Sequence, residues 1–315
     1  MIYYFSHQLL CIGQDLIRPT ICAGHASSDI TIWMKALSSR ESFLILTPIN
    51  LRLNSNIAIL VLIFDSLTHF TEDGQWFDTE FDCSLKAFES FYKASKLNGA
   101  IVSGLCDGIN NSYVIDTCRE SSKNIYALPM LSREELNLMN ETLNYYISNE
   151  VIGIKIHPRF SNINLQDKIL QDFINLTSQK NIVIFICTVF DSKISTRENQ
   201  IDQLLQLINN NPRGRFVLLH GGYTSLLTVA EQIRNHENVL LDLSFTLCRF
   251  FDSSIGLDIK YLFRNFSKRI CIGTDFPEFD YRSVKKSLSY LNIEFSNAVD
   301  NGVLGGNLLK FLELN

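Results

Sequence analysis

Residues 151–157 read VIGIKIH, a strand-length apolar run that holds a lysine and a histidine two positions apart. Side chains alternate along a strand, so Lys155 and His157 share one face and Ile154 and Ile156 the other. A lysine inside such a run needs a polar destination, which the mouth of a barrel offers. Seven other runs resemble it: IAILVLIF (57–64), GAIVSGL (99–105), NIYALPML (124–131), NIVIFICTV (181–189), RFVLLHGG (215–222), NVLLDLSFT (238–246) and RICIGTDF (269–276). Their near-continuous hydrophobicity is what a parallel sheet covered on both faces requires.

Amphipathic stretches of helical period separate the runs. They cover residues 85–96, 133–148, 165–180, 199–209, 225–234, 258–266 and 283–291. Ser132 followed by Glu135 forms a capping box that opens the second of them. Eight strand runs alternating with these seven helical stretches predict an α/β fold, a (β/α)₈ TIM barrel, with an open doubly wound sheet as the alternative. The barrel spans residues 57–315. Residues 1–56 lie outside the repeat as an N-terminal extension of unassigned role. Within it, 30–33 and 43–47 read as strands, and 33–37 equally well as the start of a helix.

The chain has 315 residues, 46% hydrophobic and 19% charged, with a formal charge of −5. It can bury a large core and lacks the basic face of a general nucleic-acid binder. No apolar run reaches the roughly 18 residues that span a bilayer. MIYYFSHQLL (1–10) has no basic segment ahead of its apolar residues, which argues against a signal peptide. The eight cysteines include no CxxC pair and read as reduced core thiols of a cytoplasmic protein. No GxGxxG, GxxxxGK[ST] or GxSxG occurs, so neither a phosphate-cradling loop nor a serine elbow is expected. The expected partner is a small-molecule substrate, with no nucleic acid and no membrane; a homo-oligomer is left open.

Active sites of such barrels sit at the C-terminal ends of the strands. Three of the six histidines fall there: His69 after FDSLT, His157 after GIKI and His220 after RFVLL. Lys155, Cys187, Asp242, Ser244 and Asp275 also lie at strand ends. Each alone could be a satisfied structural residue. Several on one rim indicate a site, because burying that many polar groups unpaired is costly.

At these residues the chain resembles the amidohydrolase-related family of metal-dependent hydrolases and decarboxylases. The resemblance runs from about Ile57 to Leu314. It rests on Asp65 to His69, Gly153-Ile-Lys-Ile-His-Pro158, Leu219-His-Gly-Gly222, Gly273-Thr-Asp-Phe-Pro277 and Gly305-Gly-Asn-Leu-Leu309. It implies a distorted barrel with a metal held by an HxH of strand one, a strand-five histidine and a strand-eight aspartate. A strand-six histidine orients the water. By that pattern His69 is the second histidine of HxH, His220 the water-orienting residue and Asp275 the aspartate. Leu67 stands where HxH has its first histidine, and Cys187 where strand five supplies another. His69, Cys187 and Asp275 with one water would make a four-coordinate zinc site.

The resemblance then implies activated-water attack on a lactone, ester or amide, or the related decarboxylation. Asp275 is the proton acceptor and His220 the oxyanion partner. Lys155, His157 and Arg159 form a cationic cluster for a substrate carboxylate or phosphate. Leu67 and Cys187 keep two other readings open: a barrel that has lost its metal and binds a ligand or partner, and a metal-free acid/base enzyme of lactonase type.

Overall fold

The computed structural model describes residues 62–105, 111–190 and 200–314, together with the backbone of five strands nearer the N-terminus. The chain forms two compact units, Met1–Leu60 and Val61–Asn315. In the first, β1 (Cys11–Ile12) pairs antiparallel with β2 (Asp15–Leu16). A second antiparallel sheet has the order β3 (Arg18–Ile21), β4 (Asp29–Ala36), β5 (Ile45–Arg52). Residues 33–36 therefore belong to a strand, not to the start of a helix.

Among its described residues the second unit carries eight parallel strands. β6 (Phe64–Thr68), β7 (Gly99–Ser103) and β8 (Ile125–Leu128) form one sheet. β9 (Ile154–Ile156), β10 (Val183–Cys187), β11 (Arg215–Leu219), β12 (Val239–Asp242) and β13 (Ile270–Cys271) form the other. Two seams join them into a ring. At one, Met130 bridges Lys155, with Lys155 N donating to Pro129 O at 2.8 Å and Leu131 N to Lys155 O at 2.8 Å. At the other, Thr68 bridges Phe276 and Asp275 N donates to Leu67 O at 2.9 Å. The result is the closed α/β barrel, not the open sheet.

Between the strands lie α1 (Leu85–Ser95), α2 (Asn111–Glu120), α3 (Arg133–Asn137), α4 (Met139–Ser148), α5 (Pro158–Ser161), α6 (Lys168–Gln179), α7 (Gln200–Asn210), α8 (Leu226–Gln232), α9 (Thr246–Phe250) and α10 (Ile255–Asn265). After the last strand come α11 (Tyr281–Tyr290), α12 (Phe295–Asp300) and α13 (Gly306–Leu312). The Ser132–Glu135 capping box forms as expected, but the helix breaks at Leu138 (φ −106°, ψ 41°) into α3 and α4. Among the described residues no helix is long and apolar enough to cross a membrane.

Strand alternation divides the core. Ile154, Ile156, Ile184, Ile186, Leu218 and Leu241 pack outward against helix residues such as Phe173 and Leu204. Phe64, Leu67, Phe185, Val217, Leu219 and Leu240 fill the barrel, joined by Leu308 and Leu312 of α13. The helix α13 thus plugs the N-terminal face. Its approach depends on Gly305 at φ 133°, beside the start of β6, where Phe64 N donates to Leu304 O at 2.8 Å. Asn307 Nδ2 ties the plug to the last strand through Ser267 O at 2.7 Å and Ile270 O at 2.8 Å. The Gly-Gly-Asn motif therefore belongs to the barrel floor, remote from the mouth.

The first strand occupies the polar end of its expected segment, the part that leads to His69. The expected run is 57–64, of which 57–61 lie outside the described residues, whereas the strand is the polar Phe64–Thr68. All five of its residues are buried, because Asp65, Ser66 and Thr68 find partners across the barrel. The eighth strand contracts to Ile270–Cys271, and residues 272–276 continue as irregular backbone along the closing seam.

Candidate active site

His69 follows β6. Its Nδ1–H donates to Ser103 O at the end of β7, 2.9 Å away, which points Nε2 at Asp275 Oδ1, 3.3 Å away. Asp275 lies beyond β13 in the left-handed region (φ 56°), which an aspartate tolerates better than most residues. Lys155 is on the inward face of β9, two residues before His157. His157 caps α5: its Nδ1 accepts Phe160 N–H at 3.3 Å, and its ring stacks on Phe160 at 4.2 Å. Cys187 ends β10 near His157 and His220, which act on it electrostatically. His220 follows β11, and its Nδ1–H donates to Ser244 O at 3.0 Å. Residues 220–223 all have positive φ, which the Gly221-Gly222 pair makes affordable, and Gly222 N is caught by Thr188 Oγ1 at 2.8 Å.

The structure thus gathers His69, Lys155, His157, Cys187, His220 and Asp275 at one mouth, each no more than 8% exposed. Arg159 is exposed on the rim, its guanidinium 4.5 Å above the Phe160 ring. The cationic trio expected from the sequence is therefore graded in depth, with Arg159 outermost and Lys155 innermost.

The electrostatics follow from burial and neighbours. Burial raises the Asp275 carboxyl, but the His69 hydrogen bond and the charges of His220, His69 and Lys155 outweigh it and hold it below the usual range. Burial and then the Lys155 charge lower His69, while Asp275 and Ser103 O pull the other way. Burial alone would raise the Cys187 thiol, yet His157 and His220 bring it well below its ordinary value. The same pairing lifts His220 to about 9 against the pull of burial, so His220 is cationic at neutral pH.

Beneath the site lie two buried carboxylates. Asp242 accepts from the hydroxyls of Ser66 and Ser244, and from His220 N at 3.4 Å. It braces the segment whose Ser244 carbonyl orients the His220 ring. Asp65 receives Thr274 N at 2.9 Å and Thr274 Oγ1 at 2.8 Å, next to Asp275. Burial pushes Asp65 up to about 7 from 3.8, although the Thr274 bonds oppose the rise. A carboxyl with a raised folded value is neutral and stabilising at low pH, and that stability is lost as pH rises through about 7. Asp65→Asn mimics the neutral form. It should leave stability nearly unchanged at pH 4 and raise it at pH 8 by on the order of 4 kcal/mol, read from denaturant melts at both pH values.

The sequence did not single out Ser103, Trp76 or Glu278. Trp76 packs its ring 4.8 Å from that of His69, and its Nε1–H donates to Glu278 Oε1 at 2.8 Å. The loop after β6 is thereby strapped to the loop after β13. Ser103 had a signal, a polar residue ending an apolar run, but no partner for it was visible. Trp76 had none.

The zinc centre expected of His69, Cys187 and Asp275 does not assemble. Among the described residues no group of three or more His, Cys, Asp or Glu side chains is placed to hold a metal ion. The reasons are local. Leu67 is fully buried in the barrel interior and offers no donor atom. Cys187 is engaged by His157 and His220, while His69 and Asp275 pair with each other under the charge of Lys155. These residues do not fit a metal of that kind.

Residues 64–314 match the profile of the family described as Amidohydrolase. No curated protein matches the sequence. Among solved structures, an uncharacterised TIM-barrel protein of Bordetella bronchiseptica superposes with a TM-score of 0.67 at 12% identity, over 80% of this chain and 99% of its own. A 5-carboxyvanillate decarboxylase of Sphingomonas paucimobilis gives 0.61 at 10% identity, over 81% and 100%. A probable 2-pyrone-4,6-dicarboxylic acid hydrolase of Acinetobacter baumannii, with citric acid bound, gives 0.59 at 14% identity, over 80% and 99%.

Proposed function

Because the chain belongs to the amidohydrolase family, we propose that it hydrolyses a small carboxylated lactone, ester or amide by metal-free acid/base catalysis, with decarboxylation as the neighbouring chemistry. The observation that carries this reading is the buried His69–Asp275 contact of 3.3 Å, on the rim that also holds the His220 imidazole. A carboxylate and a histidine brought together from opposite ends of a chain, each out of water, make a proton-handling pair.

Asp275, kept ionised, takes a proton from water as the water oxygen attacks the carbonyl carbon. His69 Nδ1–H is committed to Ser103 O, which fixes the ring with Nε2 beside the Asp275 carboxyl as the proton arrives there. His220, cationic at neutral pH, donates toward the forming oxyanion or the leaving atom. On collapse, the proton returns from Asp275 to the leaving oxygen or nitrogen. His157 and Arg159, at the outer edge, suit a substrate carboxylate, which the Arg159 fork can hold in two parallel hydrogen bonds. Support for a carboxylated substrate comes from the pyrone-dicarboxylate hydrolase and the carboxyvanillate decarboxylase that share the fold.

The test is turnover before and after chelation. Protein stripped with EDTA, its metal content measured by mass spectrometry, is offered lactones, carboxylated esters and amides, and aromatic carboxylates with CO₂ release followed. The expected result is hydrolysis of a carboxylated substrate with kcat unchanged by stripping. Activity lost on stripping and restored by zinc would overturn the metal-free reading. Ligand binding without any turnover would point instead to a binding barrel.

A further inference from the structure

We infer that the Lys155 ammonium is the electrophile of this centre, receiving the negative charge that develops on the substrate oxygen during water attack. The inference rests on the hydrolytic reading above and adds a residue to it.

Lys155 is 2% exposed, in a strand whose flanking Ile154 and Ile156 pack outward. Its strand-pair neighbours are Phe185 on one side and Met130 on the other. Burying an ammonium among such neighbours is costly and does nothing for packing that an apolar side chain would not do better. It is buried at the same mouth as the His69–Asp275 pair, and its charge lowers both groups. His220 can add a hydrogen bond to the substrate oxygen, but its charge is countered by the Cys187 thiolate, and Arg159 lies out on the rim. Leu67 removes a donor that a divalent cation would need, so a fixed side-chain charge takes over the electrostatic task.

Charge accounting makes the assignment specific. Before reaction, Lys155 is the positive neighbour of ionised Asp275. As the water oxygen bonds to the carbonyl carbon, its proton passes to Asp275 and the carbonyl π electrons move onto oxygen. The carboxylate becomes neutral and the oxyanion appears, so the buried centre keeps its net charge and Lys155 exchanges one anionic partner for another. On collapse the bond to the leaving atom breaks, Asp275 returns the proton to that atom, and the original pairing is restored. Lys155 stays protonated throughout.

Lys155→Met keeps the length of the side chain and removes the charge. It should lower kcat by roughly 10²–10³-fold while KM moves by less than about 3-fold. Lys155→Ala should recover at least about 10-fold of its lost rate when methylamine is added, a rescue that a packing role would not show. An unchanged kcat in Lys155→Met, or no amine rescue of a folded Lys155→Ala, overturns the assignment. A second readout does not depend on turnover: methylphosphonate, a tetrahedral oxyanion, titrated against Trp76 fluorescence. Wild type should bind it and Lys155→Met at least about 10-fold more weakly. Equal affinities, or no binding by wild type, overturn the proposal. A wild type that binds methylphosphonate through Lys155 yet hydrolyses nothing would sink the hydrolytic reading alone.

Discussion

Replacing Asp275 by asparagine is expected to lower kcat by at least about 10³-fold and to leave the barrel folded. His69, His220 and Lys155 hold this carboxylate in its basic form against the opposing effect of burial. Asparagine has nearly the same shape, tolerates the left-handed backbone at this position (φ 56°), and leaves the backbone bonds of Asp275 N to Leu67 O and of Glu278 N to Asp275 O intact. The experiment therefore separates chemistry from folding, which Asp275→Ala would not do. Steady-state rates report the first, and a melting curve superimposable on wild type the second. Undiminished turnover in the folded variant would remove Asp275 from the mechanism.

Gly305→Ala is expected to destabilise the protein by roughly 2–5 kcal/mol, although it touches nothing at the mouth. A Cβ at this position would lie 2.5 Å from Phe64 Cβ and 2.8 Å from Phe64 N. The second of these atoms is backbone and cannot swing away. The φ of 133° adds strain for any residue with a side chain. Only a retreat of α13 from the barrel floor relieves both, which would open the packing of Leu308 and Leu312 against Phe64. Differential scanning calorimetry should show the loss as a drop in Tm on the order of 10 °C. Gly306→Ala is the control, since a Cβ there meets nothing within 4 Å.

The barrel was legible because most of its strands are continuous apolar runs, and covering both faces of a strand demands that pattern locally. Phe64–Thr68 was legible only as the polar end of an apolar run, because the partners that let it be buried are remote. Asp65 is satisfied by Thr274, Ser66 by Asp242 and Thr68 by Ile101 O, so a polar stretch could be fully buried. The break at Leu138 lies in a stretch whose apolar period runs on undisturbed. At the mouth, alternation from strand ends was enough to put the histidines, Lys155, Cys187 and Asp275 on one rim. It could not say which of them pair. That His69 meets Asp275 while Cys187 meets His157 and His220 depends on the radial order of strands, and it is this pairing that replaces the expected zinc set. The strap from Trp76 to Glu278 joins loops 202 residues apart and left no local trace.

The His69–Asp275 pair straddles the seam where the last strand docks beside the first. Until the polypeptide has laid down its final quarter and that edge is zipped shut, the base has no partner and no fixed direction. On the proposed mechanism, a chain clipped before residue 275 should therefore be chemically silent however much of its sheet has formed.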